Sequence, residues 1–378
     1  MSRDDMRFAH AAARVRVLEM RLLDRGRIER LLDAADAGEV LHLLAETEYG
    51  SAVAGLNDPA DYEQVLTSEL QRVYALVKSF SPEPRLLEAW AVRHTFHNLK
   101  ALVKAALRGE RVEETALSPL ATVSRERLEY AVAKATGQAT GPDRGVSTPG
   151  LPEVPSVPPA VRVGGMVGEA VSGPAVESFV DRAAEAAVAA YRVFGGPEEI
   201  DQTIDRVYQE YLLALASVPG AEFLRGWVER WADLVNLRTF LRFALAGRDP
   251  QILIRALLPG GTIPLDRLGA AFRRADDASG KLTALQALAA GTPYAGLVAE
   301  GVRRFEAEGL LHEFERLMDL HLLEYLRRAK GETFGLAPVW AYLMAKEQEV
   351  RLLRLILVGK RAGLSGERLR ERMSNVYA

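Results

Sequence analysis

One helix-like segment occurs three times in this sequence, and this repeat constrains the fold more than any other feature. The copies span residues 86–109, 224–247 and 336–359. Each copy begins with a tryptophan-containing turn, continues with apolar residues at helical spacing and basic residues between them, and closes on a glycine. All four tryptophans of the chain fall in these copies: Trp90, Trp227, Trp231 and Trp340. A long internal repeat of this kind predicts three similar helical units.

The three copies align residue by residue, with the third matching least well. An offset of 138 relates the first two copies, and an offset of 250 relates the first to the third. Gln348 then stands opposite Asn98, so we expect the asparagine contact to be absent from the third copy. Glycine enters the left-handed conformation without a steric penalty, and we expect the three glycines to end their helices. The positions interpreted as structural are Trp90, Asn98, Gly109, Asn236, Gly247, Trp340 and Gly359.

Composition narrows the class of protein further. A chain of 378 residues can bury two or three hydrophobic cores, and no segment shows the alternating pattern of a β-strand. The net charge of −3 gives no reason to expect binding to nucleic acid. Without cysteine there is no disulfide, thiolate nucleophile or cysteine-bound metal. The start MSRDDMRFAH has no apolar signal core, and no run approaches the roughly 18 apolar residues of a membrane helix. We therefore expect a soluble all-α protein.

A segment rich in proline and glycine interrupts the helical pattern between residues 136 and 174. Proline removes backbone donors and glycine adds backbone entropy, so we interpret this segment as a flexible linker or insertion. It divides the sequence into a first helical unit at 1–135, a second at 175–258 and a third at 259–378.

A shorter repeat supports the same helical plan. The turn containing Thr47 and Tyr49 resembles the turn containing Thr292 and Tyr294. We expect the two tyrosines to be core residues whose hydroxyls bond to the turn backbone. A ligand contact is the alternative interpretation.

Two stretches have strongly unbalanced charge. Residues 31–71 contain nine acidic residues and no lysine or arginine, whereas residues 351–372 contain seven basic residues and two acidic ones. Each stretch is either an ordinary solvated helix face or a surface that steers a charged partner.

The sequence lacks the usual signatures of a catalytic or cofactor site. The Gly280-Lys281-Leu282 segment lacks the other residues of a phosphate-binding loop, and no Gly-x-Ser-x-Gly elbow occurs. His94 and His97 are spaced to share a helix face, but no third ligand stands at a spacing that would complete a zinc site. We therefore expect no catalytic residue, no metal, no cofactor and no small-molecule substrate.

Six segments, taken in order from Phe8 to Met373, resemble the C subunit of prokaryotic V-type (A/V-type) ATP synthases, whose eukaryotic equivalent is called the d subunit. No single segment is diagnostic, and the evidence is that all six occur in the order of the family. The segments are residues 13–23, 43–50, 93–105, 231–247, 290–297 and 347–373.

The resemblance implies an all-helical, funnel-like protein of three similar units in pseudo-threefold arrangement. It implies a non-catalytic socket that joins the central stalk to the proteolipid rotor ring and transmits torque for ATP-linked proton or sodium transport. The partners would be the central-stalk subunits and the ring, with no nucleic acid and no small-molecule substrate. The protein would then be peripheral, on the cytoplasmic side of the cell membrane.

The matched positions look structural, so partner contacts cannot be transferred from the family one by one. Basic residues on the polar faces of the three repeated helices are instead candidates for the stalk contact, although charges that merely solubilise a helix would look the same. A helical-repeat scaffold of a soluble complex is the alternative function, and an unrecognised helical enzyme is a third. The candidate contacts are Arg93, Lys100, Arg238, Arg242, Arg351 and Arg354.

Overall fold

The computed structural model describes residues 7–138, 174–309, 311–373 and 377. Within these ranges every regular element is helical and no strand occurs, which confirms the all-α class. Most of the predicted linker, residues 139–173, lies outside the described residues. Three short 3₁₀ turns accompany the α-helices at Pro59–Asp61, Glu114–Ala116 and Arg328–Gly331. The α-helices are α1 (Ala9–Glu19), α2 (Arg25–Asp33), α3 (Ala37–Leu44), α4 (Gly50–Ala54), α5 (Tyr62–Phe80), α6 (Pro84–Arg108), α7 (Arg125–Thr136), α8 (Val176–Phe194), α9 (Pro197–Ala216), α10 (Glu222–Leu245), α11 (Pro250–Ala256), α12 (Leu265–Arg274), α13 (Ala278–Ala289), α14 (Ala295–Glu308), α15 (His312–Arg327), α16 (Leu336–Arg361) and α17 (Gly366–Arg372).

The three sequence copies form three long helices, α6, α10 and α16, as predicted. Gly109 and Gly247 follow the first two with φ angles of 71° and 58°, so both glycines end their helices in the left-handed region. The same prediction for Gly359 is wrong. Helix α16 continues to Arg361, and the left-handed residue after it is Gly363, with a φ of 72°.

Gly359 has a packing role instead of a terminating one. A Cβ atom at this position would overlap with Cδ2 of Leu369 on α17. The absence of a side chain therefore lets α17 lie close against α16. A glycine that ends a helix and a glycine that allows close packing look the same in the sequence. Only the point at which the helix ends in the structure distinguishes the two.

Each repeated helix packs beside another long helix: α6 with α9, α10 with α15, and α16 with α5. In all three cases one aligned basic position of the repeat pairs with a carboxylate in the first two turns of the neighbouring helix. This recurring ion pair shows that the three helix pairs are built alike, while the funnel-like pseudo-threefold arrangement stays a prediction. The pairs are Lys104 with Asp201 (2.7 Å), Arg242 with Glu315 (2.5 Å) and Arg354 with Glu63 (2.7 Å).

The third of these pairs joins an early and a late part of the described chain. Helix α16 packs against α1, α3 and α5, which all precede it by more than 250 residues. Among the described residues, buried side chains form two hydrophobic clusters, and the smaller one combines residues between 23 and 70 with residues between 350 and 369. The unit boundaries at 135, 174 and 258 stay a prediction, but the packing joins sequence from the first and third predicted units in one core.

The repeated asparagines fasten the loops that follow their helices. Asn98 donates to the carbonyl of Ser118 at 3.0 Å and accepts from the same residue's backbone N–H at 2.8 Å. Asn236 makes the equivalent two bonds with Leu258, at 2.8 and 2.7 Å. Only a side-chain amide offers a donor and an acceptor in this geometry, which explains why the residue repeats. Gln348, at the aligned position of α16, is buried.

The two Thr-x-Tyr turns have the same geometry, with one correction to the prediction. Tyr49 and Tyr294 are buried in the core as expected, but their hydroxyls do not bond to the turn backbone. They donate to buried carboxylates of the repeated helices, Tyr49 to Glu349 at 2.7 Å and Tyr294 to Asp233 at 2.9 Å. The turn backbone is bonded by the threonine hydroxyls instead, at 2.6 Å in both turns.

Candidate functional site

The four tryptophans, which are far apart in the sequence, meet in one cluster. The ring of Trp227 lies 4.6 Å from that of Trp90, 5.7 Å from that of Trp231 and 5.8 Å from that of Trp340. Trp90 also meets Trp231 edge to face at 5.3 Å. The early tryptophan of each copy thus brings α6, α10 and α16 together at one point. Edge-to-face contacts of this kind stabilise by about 0.5–1.5 kcal/mol each beyond the area they bury.

A pocket opens beside this cluster and is our candidate functional site. Its wall consists of Trp90, Trp227 and Trp231 together with leucines of α15 and Met344 of α16. Trp340 is fully buried beside Trp227, whereas Trp231 is half-buried and is the most exposed of the three tryptophans that line the pocket. The pocket is small, about 20 Å³ in volume, and its lining combines apolar side chains with charged groups. The charged and polar lining residues are Asp319, Glu347, Gln348 and Arg351.

Glu347 is the most constrained charged group of this pocket. It accepts hydrogen bonds from Arg93 at 2.5 Å and from Tyr74 at 2.8 Å. Burial alone would raise the pKa of Glu347, but Arg93 and the two hydrogen bonds hold this pKa below its ordinary value. The Arg93 guanidinium also lies over the Trp90 ring, 4.7 Å from its centroid. Arg93 thereby ties the carboxylate of α16 to the aromatic wall of α6.

The opening of the pocket carries a second, looser pair. Arg351 donates to Asp319 at 3.4 Å, and both side chains are more than one third exposed. An exposed pair at this distance contributes little to stability, generally below about 1 kcal/mol. Both groups can therefore change partners at low cost, unlike Arg93 and Glu347.

All six predicted contact residues form ion pairs within the chain. Arg351 lines the pocket, and Arg93 bonds to Glu347 of the lining. Lys100 bonds to Asp205 at 2.6 Å, and the other three pair with carboxylates of helices α15 and α5. Burial and the nearby Arg242 charge lower the pKa of Arg238, whose Nε has no hydrogen-bond partner among the described residues. The structure thus places one of the six in the pocket lining and a second in contact with that lining, and a partner-contact role for any of them stays a prediction.

The acidic and basic stretches lie against each other. Besides the Arg354–Glu63 pair, Arg370 of α17 bonds to Glu29 and to Asp33 of α2. Lys360 and Arg361 bond to backbone carbonyls of residues 34 and 60. Two side chains of each stretch thus pair with the other stretch, through Arg354–Glu63 and Arg370–Asp33, and all four are more than one third exposed. The interpretations as a solvated face and as a docking surface both stay predictions.

The two histidines considered for a metal do not form a metal-binding group. His94 bonds through Nδ1 to the Ser118 hydroxyl at 2.8 Å, and burial together with the Arg93 charge lowers its pKa to about 4. Across residues 7–138, 174–309 and 311–373, no group of three or more His, Cys, Asp or Glu side chains could hold a metal ion. In the same part of the chain, no helix has the length and apolarity needed to cross a membrane.

Sequence reasoning found the tryptophans and some of the basic residues of this site but missed its acids. Glu347 and Asp319 are ordinary residues in charged helices, and nothing in their spacing marks them. The available signal was the Lys346–Glu349 tetrapeptide, a polar run where the repeat predicts a buried helix face. All four of its residues are indeed buried.

The fold places this chain in the class of all-α repeat proteins, with three repeated helices that meet at one aromatic pocket. Comparison with known proteins identifies its family. The family model for the ATP synthase (C/AC39) subunit matches residues 11–139 and 167–372. The chain therefore belongs to the ATP synthase (C/AC39) subunit family, which confirms the resemblance noted from the sequence.

Several curated relatives support this assignment along nearly the whole chain. The C subunit of the A-type ATP synthase of Methanocaldococcus jannaschii is 26% identical over 96% of this chain and 85% of its own length. The C subunit of the V-type ATP synthase of Thermus thermophilus is 29% identical over 94% of both chains. The C subunit of the V-type sodium ATPase of Enterococcus hirae is 25% identical over 96% of this chain and 97% of its own.

Proposed function

We propose that this protein is a non-catalytic socket of a rotary A/V-type ATP synthase or ATPase. In this role it joins the central stalk to the proteolipid ring and transmits torque between them. The observation that carries the proposal is the meeting of α6, α10 and α16 at one aromatic cluster, because three similar helices that converge on one point offer a joint contact surface to a single protein partner.

Membership of the family supports a role within a multi-subunit complex. The relatives are named as subunits of A-type and V-type ATP synthases and of a sodium ATPase, so we infer that this chain works with other subunits of such a complex. It would be held on the cytoplasmic side of the membrane by those subunits. Nothing in the pocket of this chain selects between protons and sodium ions.

The contacts of the pocket fit a mechanical role. Its wall is rigid, because three of its tryptophans pack on one another and Arg93 is fixed by both Glu347 and Trp90. Its opening offers a half-buried indole and the loosely paired Arg351 and Asp319, which can rearrange onto a partner. A stable interface of about 1,600 Å² would need further surface around the pocket, and the exposed side chain of Arg242 lies further along α10.

An affinity purification tests the proposal. The tagged protein is isolated from gently solubilised membranes, and the proteins that accompany it are identified by mass spectrometry. Recovery of the proteolipid and the central-stalk subunits supports the socket. A wholly soluble protein with neither partner contradicts it and favours the scaffold of a soluble complex.

A variant pair then tests the pocket itself. Trp231→Ala removes the indole at the opening, whereas Tyr130→Ala removes an aromatic ring that is 60% exposed on α7. We expect Trp231→Ala to reduce the recovered stalk subunits at least tenfold and Tyr130→Ala to leave them unchanged. Equal recovery with both variants, each folded as judged by circular dichroism, would show that the pocket is not the stalk contact.

A further inference from the structure

The two hydrophobic clusters divide the molecule into a large body and a smaller part that we call the lobe. The lobe comprises residues 23–70 and 350–373, whose buried side chains form the smaller cluster. The body contains the buried residues of the larger cluster, among them Leu22, Val73 and Ala345, which lie next to the lobe in the sequence. Three described segments cross between the two parts: the chain at Leu22–Leu23, helix α5 and helix α16. Tyr377, beyond the lobe in the sequence, is buried in the body again.

A layer of buried polar groups lies where these segments cross. Lys346 of α16 is 2% exposed and pairs with Glu69 of α5 at 3.0 Å and with Glu349 at 2.7 Å. Glu349 accepts two further bonds, from the Tyr49 hydroxyl at 2.7 Å and from the backbone N–H of Leu23 at 2.5 Å. One buried lysine and its two carboxylates thus touch all three crossing segments.

This layer differs physically from the clusters on either side of it. Apolar contacts tolerate small displacements, whereas a buried ion pair offsets its desolvation only while its hydrogen bonds keep good geometry. Burial alone would lower the pKa of Lys346, but Glu349 and Glu69 raise it above its ordinary value, so the ammonium stays charged. The polar layer therefore has one favourable arrangement, and any opening breaks several of its ion pairs and hydrogen bonds at once.

We propose that the lobe is a separately opening unit, held to the body by Lys346 and its two carboxylates. Opening releases residues 23–70 and 350–373 together, because they share one core, whereas α1 and Tyr377 stay packed in the body. The body stays folded, since α6, α9 and α10 have their own cluster. The lobe is a movable part beside the pocket, because its residue Arg351 lines the pocket.

Hydrogen exchange of the full chain, followed by mass spectrometry, tests this. In the wild-type protein we expect amides of α2, α3 and the C-terminal half of α16 to exchange at a common rate, at least tenfold faster than those of α9 and α10. Lys346→Met should raise the common rate a further tenfold or more and leave α9 and α10 unchanged. Lys100→Met, which breaks a partly exposed ion pair with Asp205 inside the body, controls for the loss of a lysine as such.

Different rates in the two segments of the lobe, or an equal increase throughout the chain in Lys346→Met, would overturn the proposal. A second measurement covers a Lys346→Met protein that fails to fold. The chain has no cysteine, so a single thiol can be placed in either core. Leu353→Cys and Leu241→Cys both replace fully buried leucines, the first in the lobe and the second in the body. We expect the lobe thiol to react at least tenfold faster with a thiol reagent in native buffer, and equal rates would contradict a separate opening.

Discussion

Arg354 donates hydrogen bonds to both carboxylate oxygens of Glu63, at 2.7 and 2.9 Å, across a separation of 291 residues. The pair occupies the position that Lys104 with Asp201 and Arg242 with Glu315 occupy beside the other two repeated helices. It also joins the acidic and basic stretches of the sequence. One contact thus shows both that the third helix pair follows the plan of the others and that it is assembled from distant parts of the chain.

The first prediction concerns this pair. Arg354→Glu places two like charges together and should lower the free energy of unfolding by about 1 kcal/mol, whereas the swapped protein, Glu63→Arg with Arg354→Glu, should recover most of that loss. Both side chains are more than 40% exposed, so the effect should shrink in 1 M salt. Urea unfolding of the four members of the double-mutant cycle measures the coupling. A coupling of zero at low salt would show that the contact is not populated in solution.

The second prediction compares the stability lost when each of the two repeated asparagines is replaced. Asn236 and Leu258 are both buried, so Asn236→Ala leaves a backbone N–H and a carbonyl without partners and without water. We expect a loss of about 2–4 kcal/mol from the free energy of unfolding. Asn98→Ala should cost less, because Ser118 is partly exposed and water can replace the lost bonds. Chemical denaturation of both variants gives the comparison, and an equal loss would contradict it.

Local pattern was sufficient to predict the three long helices, their tryptophans and two of their terminating glycines. These features depend on residues close together in the sequence, where helical spacing and glycine conformation act directly. The buried positions of Tyr49 and Tyr294 were predictable for the same reason. The family could also be recognised, because six segments in fixed order carry more information than any one of them.

The rest depends on contacts between distant residues. Tyr49 bonds to Glu349, 300 residues later, and no local rule selects that carboxylate among the many in the chain. The charge imbalance between residues 31–71 and 351–372 was visible, but its meaning required the two stretches to be placed together. Gly359 failed as a predicted helix end because its reason is the Leu369 side chain, which reaches it from another helix.

The third prediction follows from this difference between glycines. Gly359→Ala should destabilise the protein by about 1–3 kcal/mol, because its methyl group would collide with the Leu369 side chain. Leu369→Ala in the same protein should relieve the collision, so the double variant should be more stable than the sum of the two single changes predicts. At Gly109 the space is open but φ is 71°, so Gly109→Ala should cost about 1 kcal/mol whatever stands at position 369. Thermal unfolding of these variants distinguishes crowding from backbone strain.

The last prediction concerns pH and His94. Burial and the Arg93 charge lower the pKa of His94 from 6.5 to about 4 in the folded protein. Below pH 6.5 the unfolded chain therefore binds a proton that the folded chain does not, and the free energy of unfolding falls as the pH decreases from 6.5 to 4. The contribution of this one residue should approach about 3 kcal/mol at pH 4 and vanish above pH 7.

His94→Gln removes the titrating imidazole and retains a polar side chain beside Ser118. Its unfolding free energy should therefore decline less steeply than that of the wild-type protein between pH 6.5 and 4, although the variant is less stable at pH 7. His42→Gln, at an exposed position on α3, controls for the loss of an imidazole as such. Urea unfolding at intervals of half a pH unit gives the three profiles. Parallel profiles for the wild-type and His94→Gln proteins would mean that the pKa of His94 is the same in the folded and unfolded states, and would contradict the prediction.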